Sequence, residues 1–266
     1  MSWPDQRDEE AEELFTHVFP ASSKLDAYGM ALDDIQVFEE AGHHRDHVGM
    51  LATYGFVNFC GMRTLLEGIA SKLQPGASVQ EALTGCRFLD LGSGDGRAVI
   101  AAAMLVPSLR ESVGVELSLS RHQLAVKNRS RLPDKLQEVV RFEHCDIMQV
   151  SPFDLGRMEI VWLANLRFPD ETVLSVNDYL EQHCASEVDA IVATLRECHF
   201  QRPHEMWTEQ VSMSWNPEGW QVFCYYLPRQ EKGAKMLYVQ SLSACVLSCS
   251  DISGRHNIGH ESGMRH

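Results

Sequence analysis

Two acids and three glycines carry the clearest chemistry in this chain. In "FLDLGSGDGRAVIAAAM" (residues 88 to 104) Asp90 closes an apolar run, and Gly92, Gly94 and Gly96 follow at alternate positions ahead of a helical stretch. Glycines at a strand-to-helix turn let bare backbone approach a ligand, and the helix end beyond them offers N–H groups with no partner inside the helix. That favours a nucleotide-like group. The dinucleotide fingerprint has the spacing G-x-G-x-x-G, whereas this turn reads G-S-G-D-G with a carboxylate before its first glycine. A carboxylate there repels phosphate and attracts a cationic amine.

Glu116 ends the next apolar stretch, "SVGVEL", where in a strand-helix repeat an acid accepts both ribose hydroxyls of an adenosine. A ligand that joins adenosine to a charged amino acid, without phosphate, satisfies both acids. S-adenosylmethionine is such a molecule. The plain alternative for the glycines alone is an ordinary tight turn, and Asp90 with Glu116 moves the reading away from it.

The elements that must hold these residues follow from periodicity. Residues 1–80 read as a helical, acidic extension: Leu32, Ile35, Val37 and Phe38 sit among Asp33, Asp34, Glu39 and Glu40. Met62, Leu65, Leu66, Ile69, Ala70 and Leu73 recur at three-and-four spacing before "QPGAS" ends the run. From Cys86 short apolar strands alternate with helices: "CRFLDL", a helix from Arg97, "SVGVEL", a helix from Ser120, "VVRFEH", "EIVWLAN", a helix near 170–184, and "AIVATL". Such units specify an α/β fold with a parallel sheet covered on both faces. "EQVSMSW", "WQVFCYYL" and "KMLYVQSL" follow without helices between them, which predicts antiparallel strands with a turn at "NPEG". The expected organisation is an extension over 1–80 carrying a loop that covers the cofactor, a core over 81–250, and a loose tail over 251–266.

The segments D-L-G-S-G-D-G and V-G-V-E resemble motif one and its successor in class I S-adenosylmethionine-dependent methyltransferases. The whole of residues 88–104 is similar to the equivalent segment of the disruptor-of-telomeric-silencing family, the non-SET histone lysine methyltransferases. "TYGFVNF" (53–59), "WLANLRFPDE" (162–171) and "SMSWNPEGWQVFCYYL" (212–227) resemble three further stretches of that family, in order, so the likeness spans about residues 50–228. The resemblance implies a Rossmann-like class I methyltransferase with a mainly parallel sheet, antiparallel C-terminal strands and a helical N-terminal extension. It implies cofactor contacts from Tyr54, Phe56 and Val57 in the covering loop, from Asp90, Gly92, Gly94, Gly96 and Glu116, from Asp146 and Ile147 at the adenine, and from Asn165. It also implies a histone partner, a lysine of the third histone in the nucleosome as acceptor, and a nuclear location. Phe56 and Val57 stand where the family usually has an acid and a hydroxyl residue. Arg97 replaces a glutamine, and Ile147 replaces an aromatic residue.

Transfer to a lysine amine is an in-line displacement that needs the nitrogen about 3 to 3.5 Å from the methyl carbon. The amine has a reference pKa of about 10.4, so an apolar channel that desolvates it exposes the lone pair. Aromatic faces hold such a group while excluding water. Trp215 and Tyr226 are the candidate walls, with Tyr225 beside them, and the competing reading of "CYYL" is a half-buried strand. Asn165 ends the fourth strand, where ligands bind in open sheets, and could orient the amine or the methyl donor through its amide oxygen; a plain turn asparagine is the alternative. Two other functions remain open: a methyltransferase of another protein or small molecule on the same scaffold, and a non-catalytic module that binds the cofactor.

Composition bounds these readings. The 266 residues are 44% apolar, and 37 acids against 23 bases give a formal charge of -14, which disfavours strong binding to free nucleic acid. No apolar run suits a membrane span, and the acidic start "MSWPDQRDEEAEEL" differs from a signal peptide, which predicts an intracellular protein. Eight scattered cysteines read as free thiols, with no zinc framework. His43 and His47 lie one turn apart without a third ligand, so no metal site is expected. Arg121, Lys127, Arg129 and Arg131 make a basic helix, read as a solvated face or, less simply, a patch for an acidic partner.

Overall fold

A computed structural model gives the fold, with residues 6–20, 39–40 and 55–230 described. Tyr54, His43, His47, Cys245, Cys249, the strand expected at "KMLYVQSL", the tail over 251–266 and the apolar residues Leu32, Ile35, Val37 and Phe38 lie outside the described residues.

Five strands run parallel: β1 (Arg87–Leu91), β2 (Glu111–Glu116), β3 (Val140–His144), β4 (Ile160–Leu163) and β5 (Ala190–Thr194). Two more complete the sheet, β6 (Glu205–Met213) and β7 (Asn216–Leu227), in the order β3-β2-β1-β4-β5-β7-β6 with β7 antiparallel to both neighbours. This is the α/β, Rossmann-like fold expected, mainly parallel with antiparallel C-terminal strands. The strand order reverses between β1 and β4, which opens a crevice at their carboxyl ends, where ligands bind in such sheets.

Helices cover both faces, so the inner strands are apolar on both sides. All of β1 is buried, with Phe88 in one core layer and Leu89 and Leu91 in the other. The first layer joins the sheet to α1 (Gln6–Val18), α2 (Phe59–Leu73) and α4 (Arg97–Leu105); the second joins it to α8 (Asp170–His183) through Val176 and Leu180. Each fully buried leucine or phenylalanine contributes roughly 1.5–3 kcal/mol. In α2 the expected stripe is buried at Met62, Leu65, Leu66, Ile69 and Ala70, while Leu73 at the end of the helix is 38% exposed. The short α3 (Val79–Leu83) begins with a capping box formed by Ser78 and Glu81, a signal that S-x-x-E carries in the sequence.

Further helices among the described residues are α5 (Leu119–Arg129), α6 (Asp134–Val139) and α7 (Pro152–Gly156). Among the described residues no helix is long and apolar enough to cross a membrane. Cys60, Cys86, Cys145, Cys184, Cys198 and Cys224 are free thiols.

The hairpin corrects one expectation. The β6–β7 turn falls at Ser214 and Trp215, and "NPEG" lies inside β7. Met213 pairs with Asn216 and Val211 with Trp220, so Pro217, Glu218 and Gly219 bulge opposite the single residue Ser212. Proline has no N–H for a ladder, and Asn216 closes the bulge by donating to the Gly219 carbonyl at 2.7 Å.

Candidate active site

The glycine turn joins β1 to α4. Gly92, Gly94 and Gly96 all have positive φ, at 90°, 55° and 87°, which other residues adopt only with strain. Gly96 has a second reason to be glycine: a Cβ there would lie 2.4 Å from the Phe142 ring. The N–H groups of the turn do not point outward as the sequence suggests. Gly92 and Ser93 both donate to the Val115 carbonyl (2.8 and 2.9 Å), Gly94 to a Glu116 oxygen (2.8 Å), and Gly96 to the Ser93 carbonyl (2.9 Å). A phosphate would find these four donors engaged, so the turn is not an anion nest.

Asp90 sits beneath this turn, 3% exposed, and its Oδ1 has no hydrogen-bond partner. Burial, with the nearby Glu116 and Asp95 carboxylates, pushes its pKa well above the usual range. An orphaned buried carboxyl next to two other acids favours a cation, and in its ionised form it repels a phosphate. Glu116 is also buried, and its two oxygens accept the N–H groups of Gly94 and Ser118, both at 2.8 Å. Those bonds fix the carboxylate at the carboxyl end of β2, and each oxygen can accept a second donor such as a ribose hydroxyl. Asp146 and Ile147 follow β3, whose His144 is level with Glu116. Asp146 caps the turn at Ile147–Gln149 by accepting the Met148 N–H at 2.8 Å, and Ile147 packs against the second core layer.

A cluster that the sequence did not reveal closes this side. Arg97 pairs with the fully buried Asp95 at 2.8 Å, and its guanidinium lies 4.3 Å from the Phe56 ring centre and 4.6 Å from that of Phe19. The planar cation thus ties the N-terminal region and the 55–57 segment to the glycine turn. The only sequence signal was arginine where the resembled family has glutamine.

The 55–58 segment is held in turn by the hairpin. Val57 bridges Met213, Ser214 donates its N–H to the Phe56 carbonyl (2.9 Å), and the Asn58 N–H donates to the Ser212 carbonyl (3.1 Å). The Trp215 ring lies against Gly55, where a Cβ would approach it to 2.5 Å. Gly55, Phe56, Val57, Asp90, Gly92 and Arg97 border a cavity of about 30 Å³. In donor chemistry the site fits S-adenosylmethionine: a cation for Asp90, ribose hydroxyls for Glu116, no phosphate for the turn.

Asn165 begins the turn after β4 and is 1% exposed. Its amide oxygen accepts the N–H groups of Leu195 (3.1 Å) and Arg196 (2.8 Å) beyond β5, while Nδ2 has no partner. The expected role through the amide oxygen is therefore corrected, because two backbone donors hold that atom.

The two tyrosines are also displaced from the expected channel. Tyr226 pairs in register with Ile191, near the amino end of β5, and its hydroxyl donates to Asp189 at 2.8 Å. That bond and partial burial raise its pKa. It lies toward the opposite end of the sheet from the glycine turn. Tyr225 is fully buried on the other face and accepts the Cys198 N–H at 2.8 Å. Of the proposed walls, Trp215 alone stands at the site, 40% exposed on the hairpin tip and edge-on to Trp220.

The basic helix is not a free cationic face. Arg129 donates to the Val140 carbonyl (2.6 Å), Arg131 to the Val18 carbonyl (2.7 Å), and Arg121 is 5% exposed.

No family model matches the sequence, and no curated protein matches it. Solved structures do resemble the fold. A methyltransferase from Geobacter sulfurreducens is 16% identical over 73% of this chain and 85% of its own, with a TM-score of 0.44. A candidate O-methyltransferase from Klebsiella pneumoniae is 12% identical, covering 86% and 93%, with a TM-score of 0.45. A candidate RNA methyltransferase from Pyrococcus horikoshii is 14% identical, covering 62% and 82%, with a TM-score of 0.42. Likenesses this distant carry no weight for activity or substrate, and the fold assignment rests on the strand order itself.

Proposed function

We propose that the chain is an S-adenosylmethionine-dependent methyltransferase. One observation carries the reading: a buried carboxyl with an orphaned oxygen, Asp90, under a glycine turn whose N–H groups at 92, 93, 94 and 96 are already engaged. Together they select a cationic ligand without phosphate. Asp90 would hold the cofactor's amino group, Glu116 its ribose hydroxyls, and Asp146 with Ile147 its adenine. When bound, S-adenosylmethionine supplies an electrophilic methyl group on a sulfonium. Phe56, Val57 and Trp215 then exclude water above the turn, which strengthens every charged contact within it.

For the acceptor, a lysine of the third histone on the nucleosome is the reading taken from family resemblance, with the nuclear location that accompanies it. It had two aromatic walls, and Tyr226 is bonded to Asp189 toward the other end of the sheet. Another substrate on the same scaffold fits the site better.

Calorimetric titration of the full chain with S-adenosylmethionine, its demethylated product S-adenosylhomocysteine, ATP and NAD tests the cofactor. Binding of the first two alone supports the reading, and preference for a phosphate-bearing nucleotide overturns it. Labelled donor offered with nucleosomes, free histones and small-molecule extracts then identifies the acceptor. A chain that binds the cofactor and labels nothing is a non-catalytic module.

A further inference from the structure

We propose that the acceptor atom held by Asn165 is an oxygen, on a carboxylate or a phenolate, rather than an amine nitrogen. The inference rests on the methyltransferase reading above and deepens it. The orientation of the Asn165 amide is set by its surroundings: two backbone N–H groups, from Leu195 and Arg196, converge on Oδ1, so Nδ2 is the other branch of the amide, turned away from them. That NH2 group is buried and has no partner, and Asn165 lies two residues beyond the end of β4. Ala164 borders the same cavity as Asp90 and Gly92, and Trp162 pairs with Asp90 in register. Asn165 therefore stands at the carboxyl edge of the sheet, next in sequence to a residue that borders this cavity.

A buried donor without a partner costs about 1–3 kcal/mol, and a ligand that accepts from it recovers this. The chemistry of lone pairs then separates the substrate classes. An ammonium has no lone pair, and a neutral amine has one, which the new bond to carbon consumes; neither can accept from Asn165 while it is methylated. An oxygen nucleophile has at least two and can do both. Transfer to a carboxylate or phenolate forms one C–O bond from an oxygen lone pair as the C–S bond breaks with its electrons kept by sulfur, and no proton has to leave. Asn165 would hold the oxygen through one lone pair and aim another.

The variant Asn165→Asp separates these cases by sign. It keeps an acceptor for Leu195 and Arg196 and replaces the donor with an acceptor that repels an oxygen anion and welcomes an ammonium. The full chain and labelled S-adenosylmethionine are incubated with benzoate and 4-nitrophenolate, the first wholly and the second largely an anion at mildly alkaline pH, and separately with polylysine, free histones and nucleosomes. The expected result is label on an oxygen probe, reduced about 10²–10³-fold in the variant, with partial return at acid pH, where a protonated carboxyl donates again. A second readout needs no turnover: the Asn165 side-chain amide resonances, identified by their loss in the variant, shift when the oxygen probes are titrated in the presence of S-adenosylhomocysteine. Label confined to amines, a variant as active as the parent, or no oxygen probe that takes label or shifts the amide overturns the proposal. So does a tenfold or greater loss of S-adenosylhomocysteine affinity in a folded variant, since the donor then serves the cofactor. Failure of the parent protein to bind S-adenosylmethionine at all would fell the methyltransferase reading instead.

Discussion

Replacing Asp90 by asparagine should weaken cofactor binding and strengthen the folded protein above the acid range, opposite effects from one atom. The carboxyl is 3% exposed, its Oδ1 lacks a partner, and Glu116 and Asp95 lie close enough to raise its pKa further than burial does alone. A unit cation at about 4 Å in an effective dielectric near 20 gains roughly 4 kcal/mol before the cost of removing it from water. Net values for hydrogen bonds to charged groups are about 1.5–3 kcal/mol. The asparagine variant should thus bind S-adenosylhomocysteine roughly 10- to 150-fold more weakly. For stability the sign follows from linkage: the folded-state pKa lies above the unfolded value, so the native protein holds the extra proton and loses stability as pH rises between the two. The variant has no such loss, and its melting temperature should exceed the parent's above that window. Binding a cation favours the ionised form, so the parent's affinity should rise with pH and release a proton, while the variant's affinity stays flat. Calorimetry in buffers of different ionisation enthalpy, with melting curves over about pH 5 to 9, measures all of this. Equal affinities, or a parent affinity indifferent to pH, would refute the assignment of Asp90 as the cation's partner.

Other expectations follow from single contacts. Gly96→Ala meets left-handed backbone and the Phe142 ring at 2.4 Å; about 1–2 kcal/mol of strain with about 1–3 kcal/mol of overpacking gives a clear drop in the urea midpoint, and an unchanged midpoint would contradict the geometry. Arg97→Ala takes the Arg97 guanidinium away from the buried Asp95, so a loss of about 3 kcal/mol is expected. Arg97→Lys should recover only part of it, because lysine lacks the planar face between Phe19 and Phe56. Tyr226→Phe removes one bond to Asp189; it should cost about 0.5–1.5 kcal/mol and leave cofactor affinity and turnover unchanged, whereas a large fall in kcat would return Tyr226 to the site.

Local pattern was enough for the fold. Strand-helix alternation from Cys86 onward placed β1 to β5 within a residue or two, because buried parallel strands are short apolar runs and the glycine turn is unmistakable between one of them and a helix. The same pattern located Asp90 and Glu116, since a fixed repeat sets acids at the carboxyl ends of adjacent strands. What the sequence missed depends on contacts across the chain. "NPEG" carries every local mark of a turn, yet the pairing of Met213 with Asn216 moves the turn to Ser214 and Trp215 and leaves a bulge. "CYYL" is level with the site in sequence order only; antiparallel pairing with β5 sends Tyr226 toward the amino end and buries Tyr225 on the other face.

The primary sequence by itself determined the layered fold and the placing of Asp90, Glu116 and the three glycines at the carboxyl ends of adjacent strands, because these follow from residue type and short spacing. Only the tertiary structure decided which atoms are spent. Whether a turn N–H, an amide oxygen or an arginine is available depends on partners far along the chain: Glu116 for Gly94, Leu195 and Arg196 for Asn165, Phe19 and Phe56 for Arg97. A hydrogen bond is satisfied by whatever group lies within reach, and reach is fixed by packing rather than by order in the chain.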